Sequence, residues 1–414
     1  MHPLKAPFMK TKFKYLLYCM SLVGLLTVAC KKDDHALKSV QEYRGDPVTI
    51  TLTHSYSVTD IDSVLRSYNP LIPVLIHIQY ALDVYKVIYR SLDAAGNMTI
   101  ASGLLAVPRD VTKHFPLCTY EHGTSFERYG VPSYESNEFM IAIAFGSEGY
   151  VMVLPDYIGL GDSPGFHPYI HAKTEATATI DFLRATRRIG IARGFQMNNQ
   201  LFVCGYSQGG HAAIAAYKEI QENYSSEFHV TAACGMSGPY DCSGAQKDML
   251  LSDGNYPSPF YLPYLLNSYV NVYHMYPDLA STMRPPYNTT ITPYIDGYHG
   301  SSIVDSLMPL PIKNVLDSAL LADFLVNQNS PFRLALRDND LMEWKPMSPT
   351  RLTYCKSDSN VTYLNAINAF NRFVALGAPN VEVFDADSTA DHGGCVYPAL
   401  IGCKNFFDQF KILQ

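Results

Sequence analysis

The stretch Leu201-Phe202-Val203-Cys204-Gly205-Tyr206-Ser207-Gln208-Gly209-Gly210-His211-Ala212-Ala213-Ile214 decides how this chain is read. Its apolar opening suits a short buried strand, and the run after Gly210 has helical character. Between them lies Gly-x-Ser-x-Gly. The glycines leave room for a sharp strand-to-helix turn that holds the serine in strained torsions and exposes its hydroxyl. The helix N-terminus behind it favours developing negative charge. The blander reading is a glycine-rich turn that merely packs a helix on a strand, and such a turn requires no partners elsewhere in the chain.

Outward from this stretch, Phe115 to Tyr120, Tyr150 to Pro155, Val230 to Met236, Arg351 to Cys355 and Val381 to Phe384 are short apolar runs without alternation. They suit parallel strands covered on both faces. Helical patterns at Glu138 to Ser147, Ala172 to Gly194, Gln208 to Asn223, Val361 to Leu376 and Val396 to Leu413 separate them. Strand and helix in alternation predict an α/β fold with a doubly wound, mostly parallel sheet. Upstream, Val48 to Thr53, Tyr80 to Ser91 and Met98 to Pro108 alternate as an antiparallel meander does, with a Gly-Asn turn at 96–97. Residues 242–345 carry many Tyr and Pro but no clear strand. So long an interval inside one domain predicts an inserted, mainly helical cap over the sheet edge where ligands bind. The core then comprises residues 47–241 and 346–414.

The chain has 414 residues, 47% of them apolar, and a net charge of −7. That is ample for a large core, and it offers no basic patch for nucleic acid. Lys10, Lys12 and Lys14 precede an apolar stretch from Tyr15 to Ala29, shorter than the roughly 20 residues of a membrane span. It ends in Thr27-Val28-Ala29-Cys30, which resembles the lipobox of bacterial lipoproteins, with Thr27 departing from the usual Leu. The resemblance implies a signal peptide over 1–30, lipidation at Cys30, a flexible tether over 31–46 and an outer-membrane anchor. Lys31-Lys32-Asp33-Asp34 resembles the signal that sends some such lipoproteins to the cell surface. Of nine cysteines, Cys118, Cys204, Cys234 and Cys355 sit in strand-like runs and read as buried apolar residues. Cys395 with Cys403 is the one pair expected as a disulfide, and no spacing suggests a metal site.

From residue 80 onward the chain resembles an α/β-hydrolase of the secretory-lipase and carboxylesterase branch. Tyr120-Glu121-His122-Gly123-Thr124 resembles the oxyanion loop after that family's third strand, and Gly149 to Ser163 the segment around its fourth. Ser237-Gly238-Pro239-Tyr240-Asp241 resembles the end of its sixth. The resemblance implies a serine esterase or lipase that needs no cofactor and acts on a small-molecule or lipid-like ester. Serine is a weak nucleophile until a base takes its proton, so an acid and a His must follow Ser207. Asp358 stands in the family's acid turn, with Asp385 and Asp387 as alternatives, and His392 precedes the last helix where the base is placed. The thirteen histidines include His122 in the oxyanion loop, His211 in the elbow helix, His167 and His171 ahead of the acid, and His299 in the cap. The backbone N–H groups of Gln208 and Thr124, with Gly123 as the alternative, are the expected oxyanion donors. Asp156 and Asp162 read as fixing a loop, Arg184, Arg187 and Arg188 as a solvated helix face, and the cap tyrosines as packing with a few rings toward substrate. A serine peptidase, an acyltransferase and a non-catalytic ligand-binding lipoprotein are the competing readings. Sequence leaves the natural substrate and the oligomeric state open.

Overall fold

The alternating segments form β1 (Pro47–Tyr56), β2 (Leu82–Leu92) and β3 (Met98–Pro108) in a computed structural model, which describes residues 42–413. The unbroken apolar runs form β4 (His114–Glu121), β5 (Val151–Pro155), β6 (Gln196–Tyr206), β7 (Val230–Met236), β8 (Thr350–Tyr354) and β9 (Val381–Asp385). All nine join one sheet in the order β1-β2-β3-β5-β4-β6-β7-β8-β9. From β1 to β5 neighbouring strands are antiparallel, and from β5 to β9 every pair is parallel. The sheet is therefore mostly parallel, with the expected meander at one edge. The leader, Cys30 and residues 31–41 of the tether lie outside the described residues. No helix among the described residues is long and apolar enough to cross a membrane.

The period-two alternation of strand side chains sends successive residues to opposite faces. Val151 and Val153 of β5 and Val203 of β6 pack on one face with α3 (Ala172–Arg193), α4 (Gln208–Asn223) and α9 (Leu364–Ala375). Met152, Leu154 and Phe202 pack on the other with α1 (Val58–Tyr68), α2 (Phe139–Ser147) and α10 (Val396–Phe407). Helix α1 is an element the sequence reading left out. Its signature was present: Ser57 and Asp60 make a reciprocal capping box, and Ile61 and Leu65 form the buried stripe one turn apart.

Between β7 and β8 the chain carries α5 (Tyr261–Tyr273), α6 (Ser301–Leu307), α7 (Ser318–Val326) and α8 (Pro331–Asp338), together with single helical turns. These helices build a hydrophobic cluster of their own, closed by Phe126, Tyr169 and Ile170 from the core loops. The insertion thus rests on loops at the carboxyl ends of the parallel strands, the edge that also carries Ser207.

The expected solvated face of α3 is corrected by its packing. Arg184 pairs with Asp181 at 2.8 Å and Glu227 at 2.6 Å and lies over the Tyr224 ring. Arg187 lies over Phe228 and donates to the Glu227 carbonyl. Both clamp α3 to the turn after α4, while Arg188 reaches Asp46 from a more open position.

Candidate active site

Ser207 ends the turn between β6 and α4 with φ 61° and ψ −121°, a conformation that costs a non-glycine residue about 1–3 kcal/mol. Two glycines make the turn possible. A Cβ on Gly205 would stand 2.2 Å from the Gly209 carbonyl oxygen, and one on Gly209 would stand 1.8 Å from that of Glu121. The Ser207 N–H is fixed to the Met236 carbonyl at 2.9 Å.

The loops after β8 and β9 bring the two expected partners to this serine. His392 Nε2 lies 2.9 Å from Ser207 Oγ, and His392 Nδ1 lies 2.7 Å from Asp358 Oδ2. The other Asp358 oxygen accepts the backbone N–H groups of Asn360 and Val361, each at 2.9 Å. Tyr206 donates its hydroxyl to the His392 carbonyl at 2.6 Å, so the histidine loop is tied to the residue before the serine. The alternative acids are engaged elsewhere, Asp385 accepting from Ser388 and Asp387 from Thr389.

The cysteine pairing differs from expectation. Cys355 and Cys395 form the disulfide, with Cα atoms 5.9 Å apart, and Cys403 is a buried free thiol. Cys395 caps α10 and Cys403 lies two turns along the same helix. At 1.5 Å per residue that is about 12 Å, beyond the roughly 7 Å reach of a disulfide.

In the loop after β4, the Gly123 N–H donates to the Glu138 carboxylate at 3.0 Å. That donor is occupied, whereas the next residue, Thr124, sets its hydroxyl against the Tyr169 hydroxyl at 3.0 Å. A Cβ on Gly123 would lie 3.9 Å from Ser207 Cβ, so the loop borders the serine closely.

A family model described as secretory lipase matches residues 133–397, well over half of the chain and spanning Ser207, Asp358 and His392. This chain belongs to the secretory lipase family. It is accordingly a carboxylic ester hydrolase of the α/β-hydrolase fold. LipA of Xanthomonas oryzae, a rice cell wall degrading esterase, is 26% identical with a TM-score of 0.77, over 89% of this chain and 100% of that one. A Legionella pneumophila structure is 27% identical with a TM-score of 0.81, over 88% and 98% of the two chains. Candida antarctica lipase A, at 16% identity, TM-score 0.66 and coverage of 90% and 84%, shares the fold. No curated protein matches the chain.

Behind the serine, this secretory lipase carries a buried polar group that sequence reading did not single out. Glu175 of α3 accepts Gln208 Nε2 at 3.0 Å through one oxygen and faces His211 Nδ1 at 2.7 Å through the other. The second nitrogen of His211 faces the Asn339 carbonyl at 2.9 Å. Both nitrogens meet acceptors, which favours the imidazolium. Burial is the largest influence on the His211 pKa and would lower it, but the Glu175 carboxylate, the Asn339 carbonyl and Asp340 together outweigh it and the net shift is upward. His167, which contacts Gln208 at 2.8 Å, is driven down to about 4 by burial and stays neutral. The available signal for Glu175 was a carboxylate on the same helical face as Phe182 and Thr179, a register otherwise turned to the core.

An apolar cavity of this lipase adjoins the serine. It holds about 630 Å³ including its mouth and is walled by Ser207 and Gln208 below and by Tyr256, Tyr261, Leu265 and Tyr269 of the insertion above. Tyr264 packs as most cap tyrosines were expected to, donating its hydroxyl to the Ser125 carbonyl and stacking on Tyr169. Asp156 serves as the expected loop fastener, accepting from Ser102 at 2.6 Å and from Ser133, while Asp162 pairs with Lys86.

Proposed function

We propose that Ser207, His392 and Asp358 are the nucleophile, base and orienting acid of this ester hydrolase. The observation that carries the reading is the single imidazole placed 2.9 Å from the serine oxygen and 2.7 Å from the carboxylate. As Ser207 Oγ bonds to the ester carbonyl carbon, its proton passes to His392 Nε2. Asp358 holds the ring in the tautomer with the proton on Nδ1 and offsets the charge that forms. Collapse of the tetrahedral intermediate expels the alcohol, which takes the proton from Nε2. Water then attacks the acyl-serine with His392 again as base, releasing the acid and restoring Ser207. The N–H of Gln208, at the first position of α4, and that of Thr124 receive the oxyanion. Gly123 is set aside because Glu138 already occupies its N–H.

The insertion acts as a cap whose apolar cavity receives the acyl chain of a small or lipid-like ester. At the N-terminus, lipidation at Cys30 would tether the enzyme to the outer membrane, with Lys31 to Asp34 favouring display at the surface. Mass spectrometry of the mature protein is expected to find diacylated Cys30 as residue one. Any other mature N-terminus argues against the anchor. For the chemistry, Ser207→Ala is expected to lower kcat for a p-nitrophenyl ester by roughly 10⁶, the scale of a lost nucleophile. Activity retained by a pure preparation would place the nucleophile elsewhere.

A further inference from the structure

Four hydrogen-bonding groups meet at Asn360, two residues beyond Asp358. Its own N–H holds Asp358 Oδ1 at 2.9 Å. Its side-chain Nδ2 donates to Ser258 Oγ at 2.7 Å. Its carbonyl accepts the Tyr256 hydroxyl at 2.6 Å and Gln246 Nε2 at 2.9 Å. Ser258, Tyr256 and Gln246 all belong to the insertion, so three of its side chains grip one of the two residues whose backbone N–H groups hold the acid.

The grip continues on both sides. Asn365 of α9 accepts the Asp241 N–H at 3.0 Å and donates to Gln246 Oε1 at 2.8 Å. Asn368, one turn further, donates to the Asp241 carboxylate at 2.8 Å. The first turn of the insertion is thereby bolted to the segment that begins with the acid. Asn360 is 8% exposed and Tyr256 5%, so these bonds are shielded from competing water, where a lost partner leaves a buried polar group unsatisfied. Tyr256, Gln246 and Val361 also line the cavity above Ser207, so substrate in the cavity touches the same groups that hold the acid.

We propose that Asn360, with Ser258 and Tyr256, is a positioning set through which the insertion orders Asp358. The lower part of the insertion is then a working part of the catalytic apparatus and stays docked during turnover. It does more than choose among acyl chains. This rests on the assignment of Asp358 as the triad acid.

The test is a mutant cycle read with p-nitrophenyl acetate, whose acyl group is too short to sample the cavity. The Ser258→Ala/Tyr256→Phe double variant is expected to lose about tenfold in kcat with KM unchanged, since small misplacements of a catalytic group cost rates of this order. Asn360→Ala should reproduce part of the loss. In an Asp358→Asn background the same changes should have no further effect, because the group they act through is already disabled. A purely structural role would give the same loss in both backgrounds, and that result overturns the proposal. So does full kcat in both Ser258→Ala/Tyr256→Phe and Asn360→Ala. If the double variant does not fold by circular dichroism, single Ser258→Ala takes its place in the cycle. An Asp358→Asn enzyme with undiminished activity would overturn the acid assignment and this inference together. An impaired Asp358→Asn beside an unimpaired double variant would overturn this inference alone.

Discussion

The disulfide between Cys355 and Cys395 joins the strand end three residues before Asp358 to the helix cap three residues after His392. It ties together the two loops that carry Asp358 and His392, which stand 2.7 Å apart. It closes a span of 40 residues, and in the chain-entropy model a loop of that size stabilises by up to about 4 kcal/mol. Cys355→Ser is expected to lower the unfolding free energy on this scale in urea titrations and to reduce kcat. Unchanged stability and kcat would mean that packing alone holds the loops.

The acid assignment separates the three aspartates near the strand ends. Asp358→Asn is expected to cost on the order of 10⁴ in kcat, by favouring the wrong imidazole tautomer. Asp385→Asn and Asp387→Asn should retain near-normal activity, because their carboxylates serve Ser388 and Thr389. Steady-state kinetics of the three variants decides. A greater loss in either of the latter moves the acid.

Glu121 ends β4 beneath the elbow with no exposed surface, and burial pushes its pKa well above the ordinary carboxyl value. With the folded pKa raised, the stabilising contribution is fully present below pH 4.5. It is lost as pH rises toward the folded value, since the unfolded chain releases the proton first. Each unit of pH in that window removes about 1.4 kcal/mol. Glu121→Gln mimics the neutral acid and should therefore flatten this loss. Urea midpoints at pH 4.5 and 7.5 are expected to move closer together in the variant. An unchanged spacing would show that Glu121 is ionised in the fold.

Much of this architecture is legible in sequence. Val230 to Met236 and Met98 to Pro108 form strands with the expected bounds, because a nearly unbroken apolar run buried on both faces leaves an unmistakable pattern. Gly205, Gly209 and Ser207 are legible because only that combination survives so tight a turn. Helix α1 was lost because its stripe amounts to Ile61 and Leu65. The Cys355–Cys395 pair depends on which strand ends lie side by side, a fact that no spacing along the chain records. Glu175 and Glu138 escaped notice for a related reason: a carboxylate looks solvated until its helix is docked. The arginines of α3 were misjudged likewise, since Glu227 lies beyond α4.

The cavity makes a prediction about acyl length. Leu265 of α5 is buried in its wall, and Leu265→Phe would fill space that chain methylenes otherwise occupy. Each buried methylene contributes about 0.8 kcal/mol, so excluding two should cost about tenfold in kcat/KM for an octanoate ester. Acetate ester hydrolysis should be unaffected. Equal losses on both esters would place the acyl chain outside this cavity.

The most direct test of the central claim is the site of covalent labelling by a small fluorophosphonate, located by peptide mass spectrometry. The triad reading predicts a single phosphonylated residue, Ser207, with labelling slowed severely in His392→Ala and absent in Ser207→Ala. A label on another serine, or undiminished labelling of His392→Ala, would contradict it.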